Sequence, residues 1–224
     1  MEVRKIVLPG EFLDEKKGRK LNTSVYAEGE KVFSKIIGIP KIGENEISVI
    51  PLAGVYSPKV GDRVIGIIQD VEVSGWIVDI NSPYLAFLPL AEAVEEFVDV
   101  YRVDISRYFD VGDAIFCRIS KVTKHKIVQV SMKQMGTRKL RDGIILHITP
   151  TKVARVIGKG GSMINLLKEK TKCEILVGQN GRIWIRGKNK HKTVEAILMI
   201  ERESHTYGLT EKVRKFLEGK NEKD

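Results

Sequence analysis

The stretch RVIGKGGSMI, residues 155–164, holds three glycines and two cations within seven positions and then becomes apolar without a break. Glycines let the main chain approach a ligand closely and adopt positive φ at little cost. The N-terminus of a following helix offers unpaired N–H groups and a partial positive charge to an anion. The stretch therefore predicts an anion-binding loop at the start of a helix, with Lys159 and Arg155 adding positive charge.

The residues around this loop predict a βααββα unit. The helix SMINLLKEKT (162–171) carries an apolar face of Met163, Ile164, Leu166 and Leu167, and TPTKVARV (149–156) reads as a short helix that begins at Thr149 and Pro150. The predicted elements, in order, are a strand (143–148), a helix (149–156), a helix (162–171), two strands (173–177 and 182–186) and a helix (191–204).

The two later strands form a hairpin for which two registers are open. A two-residue Asn-Gly loop would pair Val177 with Trp184. A three-residue loop (179–181), with Gly181 in the left-handed conformation, instead places four branched residues on one face: Ile175, Val177, Ile183 and Ile185. We favour the three-residue loop because it builds a single core.

The position of Gly158-Lys159-Gly160-Gly161 between two short helices resembles the GXXG loop of the KH domain, which clamps about four nucleotides by their backbone. For the glycines alone, a tight connector is the alternative; neither a P-loop nor a Rossmann motif occurs. The resemblance implies RNA contacts from six residues of this chain: Arg155, Gly158, Lys159, Gly160, Gly161 and Ser162.

A repeated pattern precedes this unit. VGDRVIGIIQDV (60–71) and VGDAIFCRISKV (111–122) both open with Val-Gly-Asp and continue as alternating strands, and three further strand-like segments lie near them. Five strands in this space predict a small OB-type barrel, with the acidic segment 91–104 as the connection before the fourth strand. The pattern resembles the S1 RNA-binding domain. The matching residues are Val60-Gly61-Asp62, Gly66, Gly75, Phe87, Val111-Gly112-Asp113 and Val130-Ser131.

Three groups of residues in these two domains have open interpretations. S1 domains usually place a base-stacking aromatic just before the strand-two glycine, where this chain has Ser74; Trp76, two residues on, either packs or stacks a base. Arg182, Trp184 and Arg186 alternate away from the proposed KH core, so they either contact RNA or dock against the barrel. A basic cluster at the end of the fourth strand predicts RNA contacts unless it is a solvated turn: Arg118, Lys121, Lys124 and Lys126.

The first residues read as strands with turns at Glu28-Gly29 and Gly43–Asn45, which predicts a small β domain. The fold is therefore multidomain β plus α+β: an N-terminal β domain (1–56), an S1 barrel (57–136) and a KH domain with a C-terminal helix (137–224). This order, with VLPGE at 7–11, resembles the S1/KH cap subunits of the archaeal exosome.

That resemblance implies a non-catalytic protein without cofactor or metal. Three copies would sit on a hexameric ring of phosphorolytic subunits, with the N-terminal domains on the ring and the barrels around its entry pore. The partner would be single-stranded RNA, which the cap subunits would capture at A-rich 3′ ends and guide into the ring. The alternative is a stand-alone RNA-binding protein in ribosome assembly or translation.

Charge and composition agree with an RNA partner. The net charge is +9, and it is uneven: residues 136–224 hold 20 Lys and Arg against 10 Asp and Glu, whereas residues 1–135 hold 18 against 19. A basic third on a neutral remainder suggests a polyanion contact, and for the charge alone a solvated, soluble surface is the alternative. Two isolated cysteines, no secretion signal and no membrane-length apolar run predict a cytoplasmic protein. No catalytic or metal-ligand pattern stands out.

Overall fold

The structure, a computed structural model, describes residues 6–95, 104–204, 206 and 208–219. The chain divides into two compact units, Met1–Gly54 and Val55–Asp224. The acidic connection predicted over 91–104 lies largely outside the described residues; its first residues end helix α1 (Leu90–Ala93). No helix of the described ranges has the length and apolar composition that a membrane-spanning helix needs.

The first unit is built from strands, as its alternating sequence predicts. The described strands are β1 (Phe12–Glu15), β2 (Lys20–Leu21), β3 (Val25–Glu28), β4 (Lys31–Ser34), β5 (Gly38–Ile42) and β6 (Glu46–Pro51). They form two three-stranded sheets, with strand orders β1-β4-β3 and β2-β6-β5. One small core holds both sheets: Val7, Val25, Val32, Ile47 and Val49. The predicted N-terminal β domain is confirmed.

The second unit begins with the predicted barrel. Its strands are β7 (Arg63–Glu72), β8 (Gly75–Asp79), β9 (Ala86–Pro89), β10 (Ala114–Val122) and β11 (Val128–Ser131). They are ordered β11-β9-β8-β7-β10, and pairing of β11 with β10 closes the barrel. A further strand, β12 (Arg138–Leu140), pairs with residues 114–116 of β10. Residues 138–140 thus extend the barrel sheet, whereas the domain ranges predicted from the sequence placed them in the KH domain (137–224).

The two Val-Gly-Asp copies occupy equivalent positions in the barrel. Each copy leads into one of two long, paired antiparallel strands, β7 and β10. The amide of Gly61 donates to the carbonyl of Ile119 on β10, and the amide of Gly112 donates to the carbonyl of Ile68 on β7, both at 2.9 Å. The two copies therefore make the same contact at opposite ends of the β7–β10 pair.

The KH unit follows with the predicted order βααββα and one additional helix. Its elements are β13 (Ile144–His147), α2 (Val153–Ile157), α3 (Ser162–Thr171), β14 (Glu174–Val177), β15 (Arg182–Arg186), α4 (Lys190–Arg202) and α5 (Leu209–Glu218). The sheet is antiparallel with order β13-β15-β14. Val177 lies opposite Ile183 and Gly181 has a φ of +82°, so the three-residue hairpin loop is confirmed.

Helix α5 was not assigned from the sequence as a separate element. Its buried residues Leu209, Val213 and Leu217 recur every four positions and pack on the KH core. Lys170 of α3 forms an ion pair with Glu218 at 2.6 Å, and Lys192 of α4 donates to the carbonyl of Leu217 at 2.7 Å. The helical period of these residues is visible in the sequence, but the last helix predicted within the KH domain (137–224) ended at residue 204.

Asn180, at the hairpin tip, fastens the KH unit to the barrel. Its side chain is fully buried. The amide nitrogen donates to the carbonyls of Ile65 (2.8 Å) and Ile80 (2.9 Å), and the amide oxygen accepts from the backbone N–H of Ile65 (3.3 Å). Gly178 is required beside it, because a Cβ there would lie 2.3 Å from the Asn180 amide oxygen. One side chain thereby satisfies backbone groups of β7 and of the residue that follows β8.

Arg182 and Trp184 of β15 extend the same interface. Arg182 is 4% exposed, donates to the carbonyl of Asp79 at 2.7 Å and forms an ion pair with the Asp79 carboxylate. Trp184 packs in a core with three barrel-sheet residues: Ile65, Phe116 and Leu140. The sequence left RNA contact and docking open for Arg182 and Trp184. In the structure both side chains dock against the barrel.

We expect Asn180→Ala to lower the free energy of unfolding of this unit by about 2–4 kcal/mol, because buried backbone groups of Ile65 and Ile80 lose hydrogen-bond partners. Urea unfolding followed by tryptophan fluorescence measures this, since both tryptophans of the chain lie in the second unit. The control is Asn165→Ala at an exposed position of α3, where no loss is expected. An unchanged midpoint for Asn180→Ala would contradict the role assigned to its amide.

Candidate nucleic-acid interface

The GKGG segment forms a bare turn between two helices. Helix α2 ends at Ile157, Gly158 follows with φ +76°, and Lys159–Gly161 form one 3-10 turn that runs directly into α3. Gly160 and Gly161 have φ values of +60° and +80°. Three positive φ values in four residues explain why this segment is built from glycine.

The glycines differ in what a side chain would meet. At Gly158 a Cβ would lie 2.7 Å from the backbone nitrogen of Met163 and 2.9 Å from the hydroxyl of Ser162, so this position requires glycine. At Gly160 a Cβ would meet nothing within 4 Å. Gly158 therefore fixes the turn, while Gly160 leaves the main chain open to a ligand.

The start of α3 presents backbone N–H groups to solvent, of which that of Ser162 already donates to the carbonyl of Lys159. No side chain of the described residues caps this helix, whose N-cap position is Gly161. The first-turn N–H groups of a helix have no partner within it and carry a partial positive charge. Lys159 and Ser162 are exposed beside them. Backbone donors, a hydroxyl and an ammonium group on bare backbone form an arrangement suited to a phosphate.

Arg155 lies one turn before the loop and is already engaged. One terminal nitrogen of its guanidinium donates to the carbonyl of Thr206 at 2.8 Å, on the segment between α4 and α5. Its Nε is buried and has no partner among the residues that the structure describes. The structure brings the five residues 158–162 together in one turn. Arg155 also holds a neighbouring segment, and its contact with RNA stays a prediction.

The second predicted cluster lies on the barrel. Arg118 is partly buried on β10, where its Nε donates to the carbonyl of Gly61 at 3.1 Å and another nitrogen donates to the side chain of Gln134. Lys121 and Lys124 are exposed at the end of β10 and in the turn that follows. Arg118 borders a shallow cavity of about 200 Å³ that is lined by Val60, Gly61, Ile119, Ser120, Ser131 and Gln134. Arg118 is thus held by protein groups, while the two lysines face solvent.

Both tryptophans are packing residues. Trp76 is fully buried, donates its indole N–H to the carbonyl of Phe109 at 2.8 Å and meets the Phe109 ring edge-on at a centroid distance of 5.2 Å. Trp184 is 3% exposed. The residue before the strand-two glycine is an exposed Ser74. Neither tryptophan can therefore present a ring face to a base.

Arg186, the third residue with an open interpretation, belongs to an ion-pair cluster over Trp184. Arg138 and Arg186 lie 5.6 and 5.4 Å from the Trp184 ring, and both donate to the Glu174 carboxylate. The hydrogen bond from Arg138, with the charges of both arginines, holds the pKa of Glu174 below its usual value. Exposed pairs of this kind add little stability, but they occupy Arg186.

The cysteines and acidic residues form no metal or nucleophile site in the part of the chain that is described. Cys117 and Cys173 are free and buried, and burial raises the pKa of the Cys117 thiol to about 12. A thiol of that kind stays protonated and inert. Across the described ranges, no three His, Cys, Asp or Glu residues are placed to hold a metal ion together.

Comparison with known families assigns a domain to each of three stretches of the chain. Residues 4–53 match the N-terminal domain of the exosome RNA-binding protein RRP4, residues 55–121 match the S1 domain of RRP4, and residues 143–191 match a KH domain. The three matches follow the order of the β domain, the barrel and the βααββα unit described above. The resemblances to S1 and KH domains that the sequence predicted are confirmed.

Whole-chain relatives give the same result. The exosome complex component Rrp4 of Pyrococcus horikoshii is 44% identical over 96% of this chain and 82% of its own length. The Rrp4 of Methanothermus fervidus is 44% identical over 96% of this chain and 95% of its own. A crystal structure of a protein assigned as an exosome complex RNA-binding protein is 36% identical, with a TM-score of 0.70, over 75% of this chain and 97% of that one.

We expect Lys159→Asp combined with Gly160→Asp to weaken RNA binding about 10- to 100-fold. The charge that faces the phosphates changes by three units, each worth roughly 0.3–1 kcal/mol at a helix N-terminus. The fold should lose only about 1–2 kcal/mol of stability, which is the cost of a side chain at the left-handed φ of Gly160, because Lys159 is exposed and a Cβ at Gly160 meets nothing within 4 Å. Lys159→Ala alone should have a smaller effect, since the helix N–H groups remain.

A matched control exists elsewhere in the chain. Lys17 and Gly18 are also exposed, and Gly18 has a φ of +73° with nothing near its Cβ position. Lys17→Asp with Gly18→Asp changes the net charge by the same amount and should leave RNA affinity unchanged. If the loop variant melts as this control does and binds RNA as tightly, the GKGG segment is only a connector.

Proposed function

Because the chain belongs to the Rrp4 family of exosome components, we propose that it is a non-catalytic RNA-binding cap subunit of an exosome. It captures single-stranded RNA and guides it into a ring of phosphorolytic 3′–5′ exoribonuclease subunits. The observation that carries the proposal is the bare GKGG turn, which ends at the uncapped N-terminus of α3. Nothing in the turn other than backbone, Lys159 and Ser162 faces an approaching phosphate.

The preferred nucleic acid is a single strand with an A-rich 3′ end. KH grooves bind splayed bases, which a duplex does not offer. The basic surplus of residues 136–224 supplies Coulomb attraction to phosphates. The preference for A-rich tails follows from the family resemblance rather than from a contact in this chain, and a cytoplasmic location follows from the two isolated cysteines.

The first unit docks on the ring in this proposal, in three copies on a hexamer. Its surface supports a protein partner, because several large apolar side chains are about half exposed. They are Ile6 (53%), Leu8 (57%), Phe12 (49%), Ile37 (52%), Ile42 (46%) and Ile50 (49%). A contiguous apolar patch marks a surface that a partner covers, and the proposal takes these six residues as such a patch. The barrels then lie around the entry pore of the ring.

Purification from cells separates this function from the alternative. A cap subunit copurifies with stoichiometric phosphorolytic ring subunits, whereas a stand-alone protein of ribosome assembly or translation copurifies with ribosomal particles or alone. Mass analysis of the native complex gives the number of copies on each ring. Three copies are expected.

We expect the purified chain to degrade no RNA by itself, because its sequence carries no paired-acid, metal-ligand or phosphate-binding catalytic motif. End-labelled RNA is incubated with the protein, Mg²⁺ and inorganic phosphate, and fragment lengths are followed over time. Shortening that persists through further purification and follows the protein peak would contradict the non-catalytic role.

We also expect removal of residues 1–54 to separate the two proposed activities. The remaining unit keeps the KH loop and the barrel, so its RNA affinity should stay within about twofold of the full chain, with binding that weakens as salt rises. Copurification of ring subunits should be lost. A shortened chain that still binds the ring would contradict the role assigned to the first unit. A shortened chain that loses RNA affinity would contradict the role assigned to the second.

A further inference from the structure

An exposed aromatic residue lies beside lysines at one end of the barrel. The loop between β8 and β9 (residues 80–85) and the turn between β10 and β11 (123–127) meet there, because Val128 lies opposite Ala86 in a parallel pair. This register sets Leu85 beside Ile127. The ammonium group of Lys126 lies 5.9 Å from the centre of the Tyr84 ring.

This surface is apolar and open. Tyr84 is 37% exposed, Leu85 51% and Ile127 60%. None of the three belongs to a hydrophobic core of the described residues. A ring with apolar neighbours and a nearby cation, all accessible to solvent, is the composition of a platform for a nucleobase.

The backbone that carries Tyr84 is held in place. The hydroxyl of Ser82 donates to the carbonyl of Tyr84 at 2.7 Å and accepts from its N–H at 3.0 Å. The backbone N–H of Asn81 donates to the Asp79 carboxylate at 2.8 Å, and the Asn81 side chain donates to the carbonyl of Asn180 at 2.7 Å. The ring is therefore presented by an ordered loop that the KH unit supports.

Charge indicates which partner this surface accepts. The segment KVTKHKI (121–127) carries three lysines and His125 without an acidic residue, and INSPYL (80–85) carries no charge. Lys121, Lys124 and Lys126 are all exposed. An apolar protein partner carries no anionic groups that could balance these ammonium charges. RNA offers both a base for the ring and phosphates for the lysines.

We propose that Tyr84 stacks a base of single-stranded RNA on the barrel, with Leu85 and Ile127 beside the ring and with Lys124 and Lys126 on the flanking phosphates. This inference rests on the proposed function and adds a second RNA contact to it. It places the stacking ring of this barrel in the β8–β9 loop, since Ser74 supplies none and Trp76 is buried.

The test uses the full chain and two oligonucleotides of equal length, a single-stranded RNA and the same ribose-phosphate chain without bases. Tyr84→Ala should weaken binding of the RNA about 5- to 100-fold, the range for loss of one stacked base, and leave binding of the abasic chain unchanged. Tyr84→Phe keeps the ring and should bind both as the wild type does. Thermal melting checks that each variant is folded.

Salt dependence separates stacking from charge. Lys124→Gln with Lys126→Gln should lower the slope of log affinity against log salt by about 1.4, because two phosphate contacts are lost on a single strand. Tyr84→Ala should lower affinity without changing this slope. A weaker slope in Tyr84→Ala, or equal weakening toward RNA and abasic chain, would overturn the stacking role.

Failure of this inference is distinguishable from failure of the proposed function. If the Lys159 and Gly160 loop variant loses RNA affinity while Tyr84→Ala binds RNA as the wild type does, the KH contact stands and the platform is overturned. The same holds if Tyr84→Ala keeps RNA affinity but loses copurifying ring subunits, since the surface then binds protein. A wild-type chain that binds no RNA overturns both.

Discussion

The buried amide of Asn180 is the contact on which the arrangement of the second unit depends. It pairs with both backbone groups of Ile65 on β7 and with the carbonyl of Ile80 just after β8, so backbone groups of the barrel are satisfied by a residue that lies 115 and 100 positions later in the chain. Its own carbonyl accepts from Asn81 in the loop that carries Tyr84. Because buried polar groups are costly when unpaired, this contact holds the KH unit in a fixed position on the barrel. The GKGG turn of the KH unit and the surface of the barrel therefore keep one relative orientation.

Much of the fold could be predicted because its signals are local. The repeated Val-Gly-Asp marked two paired strands, and the hairpin register followed from the need to place Ile175, Val177, Ile183 and Ile185 on one face. The GKGG turn could be predicted for the same reason, because positive φ at three of its four positions and the start of the next helix both follow from adjacent residues.

The long-range contacts could not be predicted in the same way. Asn180 reads in the sequence as an ordinary turn residue, since its partners are backbone groups without a side-chain signature. For Arg182 and Trp184 the sequence left RNA contact and docking open, and only the position of Asp79 and Phe116 decides between them. Tyr84 gave no signal at all, because its neighbour Lys126 lies 42 positions away and approaches only through strand pairing.

Amide hydrogen exchange of the full chain, with and without single-stranded RNA, tests the central claim most directly. If the uncapped start of α3 receives the RNA backbone, bound RNA slows exchange of the amides in residues 159–164. The amide of Ile65, already bonded to Asn180, should exchange equally slowly in both states. Exchange in 159–164 that is unchanged at saturating RNA, with protection confined to other segments, would contradict the account.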